Sequence, residues 1–293
     1  MHKLIIILLV LLSASAGMAQ DKEEIKAKRK ALRKARPTYF IIGPQFSKIK
    51  LRDTGTSPRF YSGPRAALAT SIHAEDSLKL SYFYNTTGYS FLDDNGDIET
   101  LVWSGVSVEF AFGDMWKLKA TRNSKFQIGV GYNVQSFFQF RTNQRLSNAG
   151  FGLDNLISLG PSVGVFFPFE RKAGWTKKIG FVNVNAKRRK YALSMRLNIP
   201  ALTVSSRPEY AYLTDVINPD INSLDTYSVQ LGGYLFSSET AFTYYLHNGN
   251  ALRFHYRWQA MQTNDTFKLS IAQHAYGINF MIRLNKINRD ERY

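Results

Sequence analysis

The chain of 293 residues contains no cysteine. This absence excludes a disulfide framework, a thiolate metal site, a nucleophilic cysteine and a lipid-modified N-terminal cysteine. Acidic residues are few, with 22 Asp and Glu against 38 Lys and Arg, so the formal net charge is +16. No long apolar run follows the one at residues 4–12, which excludes a bundle of membrane helices. A soluble globular protein and a β-barrel, whose membrane strands are only half apolar, remain.

The first residues have the layout of a secretory signal peptide. Lys3 supplies a positive charge, nine apolar residues follow at positions 4–12, and Gly17-Met18-Ala19 fits a small-x-small cleavage site before Gln20. A membrane anchor helix is the alternative, but a bilayer span needs about 20 apolar residues. The sequence therefore predicts a signal peptide over residues 1–19 and Sec-type export.

Residues 20–36 differ in composition from the rest of the chain. Positions 21–36 hold eight Lys or Arg and three Asp or Glu, with too few apolar residues for a stripe that docks firmly. We interpret residues 20–36 as a basic, partly helical periplasmic arm that ends at Pro37. The arm is either simply solvated, or residues 21–36 contact anionic headgroups or protein partners. Nucleic acid is not an expected partner, since a secreted protein rarely meets it.

From Thr38 onward, apolar and polar residues alternate with a period of two. In Leu252–Trp258 every even position is large and apolar or aromatic, and every odd position is cationic or titratable. Only a β-strand puts these two sets on opposite faces. The pattern predicts twelve strands, within a range of 10–14: 38–49, 60–74, 76–91, 98–112, 124–141, 156–168, 178–185, 190–203, 225–236, 239–247, 250–263 and 268–285.

The length of these runs favours a membrane barrel over a soluble sandwich. Strands of sandwiches have about 5–6 residues, whereas a tilted strand that crosses a bilayer needs about 9–11. We therefore expect an all-β fold, a transmembrane antiparallel up-and-down β-barrel of about 12 strands. Twelve strands with both termini in the periplasm would make segment 204–224 a long periplasmic connection, where barrels have short ones, so a miscounted strand remains an alternative.

The chain resembles Gram-negative outer-membrane β-barrel proteins of a porin-like class, especially those of Bacteroidetes. The resemblance covers residues 37–285 and is carried by the signal that ends in Ala19-Gln20 and by the aromatic-rich strands. In the last strand Gly277, Phe280 and Ile282 fit an insertion signal, although Ala275 stands where a polar residue belongs and a charged tail follows at 286–293. The resemblance implies an outer-membrane location. It also implies outer-membrane lipid, lipopolysaccharide and the barrel-insertion machinery as partners.

The alternation divides the candidate site residues into two sets. The residues predicted to line the lumen are Arg65, His73, Lys79, Glu109, Arg196, Arg253, His255, Arg257 and Arg283. The residues predicted to face lipid or the interface are Phe254, Tyr256, Trp258, Tyr276 and Phe280. The lumen set is either a satisfied charge network that fills the barrel or a cationic lining that favours anions.

Three functions are compatible with such a barrel. The first is passive passage or binding of small solutes, with anions favoured by a cationic lining. The second is a structural or accessory barrel of a surface-assembly or secretion complex. The third, a lipid-modifying hydrolase, is less favoured because Ser270 and His274 would lie about 13 Å apart on one extended strand. The sequence predicts no catalytic residue, no metal ligands and no cofactor.

Overall fold

The computed structural model describes residues 36–55, 57–76, 78–94, 102–121, 125–143, 151–171, 176–179, 182–185, 189–208, 227–264, 266 and 268–285. Thr38–Tyr293 forms one compact unit, and the description below concerns that unit. The predicted signal peptide at 1–19, the arm at 20–36 except its last residue, and the tail at 286–293 lie outside the described residues. In the described part, no helix is both long and apolar enough to cross a membrane.

Strands dominate the described residues, with one short 3-10 turn at Lys119–Thr121. The strands are β1 Thr38–Asp53, β2 Ser57–Glu75, β3 Lys79–Asp93, β4 Val102–Lys117, β5 Gln127–Thr142, β6 Phe151–Arg171, β7 Thr176–Ile179, β8 Val182–Asn185, β9 Arg189–Asn198, β10 Leu202–Pro208, β11 Tyr227–Leu231, β12 Tyr234–Tyr245, β13 Ala251–Gln262 and β14 Leu269–Arg283.

Ten antiparallel strands close into a ring. They follow the order β6-β5-β4-β3-β2-β1-β14-β13-β12-β9, and β9 pairs back onto β6. The first strand, β1, pairs with the last strand, β14, so the start and the end of the barrel sequence lie side by side. Next to this pairing, the Leu284 N–H donates a hydrogen bond to Thr38 O at 2.8 Å. We call this end of the barrel the terminal rim, and the other end, where Asp53 pairs with Leu269, the opposite rim. The prediction of an all-β, antiparallel, up-and-down barrel is confirmed.

The count of twelve strands is wrong for the closed ring, although ten lies within the predicted range. The run predicted as strand 178–185 forms β7 and β8, which pair only with each other. The alternation predicts separate strands at 225–236 and 239–247, but β12 passes through Ser237 and Ser238 without a turn. Ser237 instead faces inward and donates a hydrogen bond to Gln135 Oε1 at 2.7 Å. The hydrogen bond to the buried Gln135 thus holds the serine pair in an extended conformation, where the sequence suggests a turn.

Two interruptions place β10 and β11 outside the closed ring. β10 continues β9 after residues 199–201, and β11 precedes β12 across Gly232 and Gly233, which have φ of 114° and 77°. The β9–β12 and β10–β11 pairings share one register, since Asn198 pairs with Ser237 and Val204 with Leu231. The connection 209–226 therefore leaves from the opposite rim, not from the rim of the termini. With ten ring strands, segment 204–224 no longer has to be a long connection on the side of the termini, as a count of twelve strands would require.

The wall of the barrel is apolar outside and polar inside. Phe46, Ile278 and Leu68 point outward and are 65, 55 and 52% exposed, whereas Arg65 and Glu109 point inward and are each 1% exposed. Soluble proteins bury apolar side chains and expose charged ones. The reversed distribution around a closed ring is typical of a barrel surrounded by lipid.

Candidate functional site

The centre of the barrel interior is occupied by a carboxylate between two arginines. Glu109 on β4 lies 3.2 Å from Arg65 Nη1 on β2 and 2.9 Å from Arg257 Nη1 on β13. Arg65 Nε also donates to Ser107 Oγ at 2.8 Å, and the Arg257 guanidinium lies 4.7 Å from the Tyr84 ring centroid. Almost all of these side-chain surfaces are shielded from solvent. The network therefore links three strands across the lumen and fills its middle.

A second network of the same kind lies between the centre and the terminal rim. Glu239 on β12 pairs with Arg196 on β9 at 3.2 Å and with Arg253 on β13. The Arg196 guanidinium lies 3.8 Å from the centroid of the Tyr82 ring, and Tyr82 Oη donates to Asn133 Oδ1 at 2.7 Å. The three charged side chains are between 9 and 12% exposed, so little room is left for water around them.

Two arginines and two aspartates form a third network at the opposite rim. Arg207 Nε donates to Asp154 Oδ1 at 2.6 Å and Arg207 Nη2 to Asp53 Oδ2 at 2.9 Å. Arg141 Nε donates to Asp154 Oδ2 at 3.0 Å, and Arg141 also pairs with Asp53. This quartet ties β1, β5, β6 and β10 together. Buried pairs of this kind repay their loss of hydration only when each charge has several partners, which is the arrangement here.

An apolar cluster lies inside the wall next to this quartet. Its members are contributed by nine of the ten ring strands: Ile49, Leu51, Tyr61, Leu92, Trp103, Phe137, Leu156, Leu235, Met261, Leu269 and Ile271. All are nearly inaccessible to solvent. Trp103 packs edge-on against Tyr61 with ring centroids 6.2 Å apart, and Arg141 lies 5.0 Å from the Trp103 ring. The side chains of this cluster therefore fill the interior at this level.

The remaining residues predicted for the lumen have different environments. His73 is 8% exposed and lies edge-on to Tyr82, with ring centroids 6.4 Å apart. His255 is also buried and lies within 3.4 Å of Gln45 Oε1 and 3.3 Å of Asn279 Nδ2. Arg283, half-buried, ends β14 at the terminal rim, where its backbone N–H donates to Asn250.

Lys79 differs from the prediction, because it lies on the outer face of β3. Its ammonium pairs with Asp114 at 2.9 Å and lies 5.1 Å from the ring of the exposed Trp116. The even residues of β3, including Tyr82 and Tyr84, face the lumen instead. Both faces of β3 carry aromatic rings, so its polarity pattern is ambiguous, and hydrogen bonds from the two tyrosine hydroxyls decide the side.

The residues predicted to face lipid lie on the outer face of β13 and β14. Phe254, Tyr276 and Phe280 are 43, 60 and 39% exposed, and Tyr256 and Trp258 are half-buried among their neighbours. Ile282 of the predicted insertion signal is also on this face. Gly277 lies inside, paired with His255, and a Cβ atom there would stand 2.2 Å from His255 Cε1.

The arrangement offers little that resembles a hydrolase or metal site. His274 Nδ1 lies 2.8 Å from Tyr256 Oη on the outer wall, and its hydrogen bond is therefore to a tyrosine and not to Ser270. In the part of the chain that the structure describes, no group of three or more His, Asp or Glu residues could hold a metal ion.

Sequence reasoning missed three of the four network carboxylates, Asp53, Asp154 and Glu239, and two arginines, Arg141 and Arg207. The alternation around Gln135, Gln139 and Arg141 gives a signal that could have placed Arg141 inside. Asp53 and Asp154 lie at strand ends, where turns also favour aspartate, so their role could not be separated from that of a turn residue.

Comparisons with known proteins give no family for the chain. No family model matches it and no curated protein matches it. Among solved structures, the translocator domain of autotransporter NalP from Neisseria meningitidis has 8% identity over 92% of this chain and 97% of that one, with a TM-score of 0.33. The transport unit of autotransporter AIDA-I from Escherichia coli has 10% identity over 83% of this chain and 90% of that one, with a TM-score of 0.37.

A third similar structure is the Pseudomonas putida toluene transporter TodX. It has 9% identity over 84% of this chain and 89% of that one, with a TM-score of 0.29. Values this low carry no argument about function. The function therefore has to be inferred from the chain's own residues.

Proposed function

We propose that the chain is a sealed outer-membrane β-barrel that acts through protein partners, as a structural or accessory component of a surface-assembly or secretion complex. The apolar outer wall supports a membrane location, and the layout of residues 1–19 supports Sec-type export to the outer membrane of a Gram-negative cell. The observation that carries the proposal is the filled interior. Three ion-paired networks and an apolar cluster occupy the lumen from the opposite rim, through the centre, to a level between the centre and the terminal rim.

A barrel without an open lumen can act only through its surfaces. Two long connections offer such surfaces: residues 172–188, of which β7 and β8 are described, and residues 209–226, which lie outside the described residues. Connections of more than about 12–15 residues in compact domains are usually functional. The first leaves from the terminal rim and the second from the opposite rim. The proposal therefore allows contacts on both sides of the membrane.

Passage of small anions is the second candidate, and the excess of arginine in the lumen favours it. The three networks contain six arginines and four carboxylates. If the interior opened, its uncompensated positive charge would lower the energy of an anion and raise that of a cation.

Planar-bilayer recording on the purified, refolded chain separates the two candidates. The sealed barrel gives no conductance steps, whereas anion-selective steps in a salt gradient would overturn it in favour of passage. Refolding is checked first by the change in gel mobility on boiling, and location by sedimentation with outer membranes. Recovery as a soluble periplasmic protein would contradict both candidates.

The partner role needs its own measurement. A tagged chain extracted from its own outer membranes in mild detergent should migrate on a native gel well above the refolded chain in the same detergent. A second extract treated with urea below the unfolding midpoint of the barrel serves as the control, since it should release partners and restore the smaller size. Equal migration of the membrane extract and the refolded barrel would contradict an accessory role.

A further inference from the structure

The outer face of β1 changes from apolar to cationic along its length. Its outward residues from Phe40 to Phe46 are apolar, and Phe46 is 65% exposed. The next three outward positions towards the opposite rim are Lys48, Lys50 and Arg52. Both lysines are exposed and the arginine is half-buried. We call these three residues the β1 cation strip.

Residues in register with the strip carry no carboxylate. On β2 and β14 these residues are Pro64, Ser62, Phe60, His274, Ala272 and Ser270. In the described part of the chain neither lysine forms an ion pair. The carboxylate of Asp93 on β3 is in register with Lys50 through Ser62 of β2, but it is two strands away and does not pair with Lys50. The positive charge of the lysines is therefore not neutralised by the neighbouring wall.

Phe60 holds two of the cations against the wall. Lys50 Nζ lies 4.7 Å and Arg52 Cζ 5.0 Å from the centroid of its ring, which is 50% exposed. Contacts of this kind restrict long, flexible side chains and orient their charged ends. Successive outward positions on a strand are about 7 Å apart, so the strip offers a row of separate cationic ends at the edge of the apolar band.

We infer that the β1 cation strip, together with Phe60, binds the phosphate groups of the phosphorylated glycolipid of the outer leaflet. With the termini in the periplasm, the opposite rim lies at that leaflet, so the inference rests on the proposed outer-membrane location. Lysine ammonium groups bind phosphate as point charges, and an arginine guanidinium binds it through two parallel hydrogen bonds. The acyl chains of the same lipid would cover Phe46 and the apolar wall below it.

The test compares two triple variants with equal loss of charge. Lys48→Gln/Lys50→Gln/Arg52→Gln removes the strip, and Lys125→Gln/Arg171→Gln/Lys190→Gln removes three cations near the terminal rim. Each protein is reconstituted in phosphatidylcholine nanodiscs that contain a bisphosphorylated glycolipid, and the glycolipid bound to each barrel is measured by native mass spectrometry. Near an anionic surface each basic residue contributes about a factor of five, so the strip variant should bind on the order of a hundredfold more weakly at low salt.

The control variant should bind the glycolipid as the unaltered chain does. Equal binding by the strip variant and the unaltered chain would overturn the inference. In parallel nanodiscs that contain phosphatidylglycerol in place of the glycolipid, equal enrichment of phosphatidylglycerol by the unaltered chain would overturn the choice of occupant. Heat-dependent gel mobility of all three proteins shows separately whether each is a folded barrel. A failure of the proposed membrane barrel is thereby distinguished from a failure of glycolipid binding.

A second measurement needs no variant, in case the strip variant does not fold. The unaltered chain is given the bisphosphorylated glycolipid or the same lipid with both phosphates removed. Binding should fall strongly on dephosphorylation, and binding of the phosphorylated form should fall as salt approaches 1 M, where the screening length is about 3 Å. Binding that is insensitive to both changes would overturn the inference.

Discussion

The guanidinium of Arg65 and the carboxylate of Glu109 lie 3.2 Å apart, although β3 separates their strands. Arg65 crosses β3 at Gly88, where a Cβ atom would stand 2.8 Å from Arg65 Nε. Glu109 also accepts a hydrogen bond from Arg257 at 2.9 Å on the far side of the barrel. One carboxylate thus joins distant parts of the wall, and its loss would leave two buried cations without a counter-charge.

We expect Glu109→Gln to lower the free energy of unfolding by about 3–5 kcal/mol, since breaking a buried ion pair leaves its partners uncompensated. Urea titration of the refolded barrel in lipid vesicles, followed by tryptophan fluorescence, measures the effect. Asp114→Asn is the matched control, because Asp114 pairs with Lys79 at 2.9 Å on the outer wall and both side chains are partly exposed, at 22 and 30%. Its effect should stay within about 1 kcal/mol, and equal losses in the two variants would contradict the structural role of Glu109.

Gly277→Ala should destabilise the barrel by about 1–3 kcal/mol, because overpacking forces its neighbours to shift. The new Cβ atom would stand 2.2 Å from His255 Cε1, so His255→Ala should relieve the strain. A double-mutant cycle on unfolding free energies measures this coupling. If Gly277 also belongs to an insertion signal, Gly277→Ala should slow assembly in cells and His255→Ala should not restore the rate. Additive effects on stability would show that the two residues do not contact each other.

Ile278→Arg should cost about 2–4 kcal/mol, the penalty for a cation on the lipid face near the bilayer centre. Ile278 lies on the outer face of β14 between Tyr276 and Phe280 and is 55% exposed. The control is His274→Arg, on the same face of the same strand but next to the cationic end of β1, where about 0–1 kcal/mol is expected. Unfolding titrations in vesicles measure both. A larger loss for His274→Arg would place the apolar band elsewhere on the wall.

Gly233→Ala should destabilise the barrel by more than about 1–2 kcal/mol, the cost of a left-handed conformation for a residue with a Cβ atom. Gly233 has φ of 77°, and a Cβ atom there would also stand 2.2 Å from Gln262 O. Ser238→Ala, at a half-buried outward position of β12, is the control and should have little effect. Chemical unfolding of the refolded variants provides the measurement. No difference between the two would mean that the break between β11 and β12 is not conformationally fixed.

Where one face of a strand is consistently apolar, the sequence predicted correctly which of its residues point to the outer wall and which to the lumen. On β4, β13 and β14 a period of two separates large apolar residues from Glu109, His255 and Arg257, and the structure places the two sets on opposite faces. The reason is local, since successive side chains of any strand point to opposite faces. On β3 both sets contain aromatic rings, and the prediction for Lys79 was wrong because a tyrosine suits either face when its hydroxyl finds a partner.

By itself the sequence determined an antiparallel barrel with an apolar wall, because alternation and run length depend only on neighbouring residues and on the thickness of a bilayer. The number of ring strands depended on the tertiary structure, since Ser237 looks like a turn residue until Gln135 is found opposite it. The filling of the lumen was also decided by the tertiary structure. Glu239 and Asp154 compensate arginines that are distant in sequence, and only closure of the ring brings these charges within hydrogen-bonding distance.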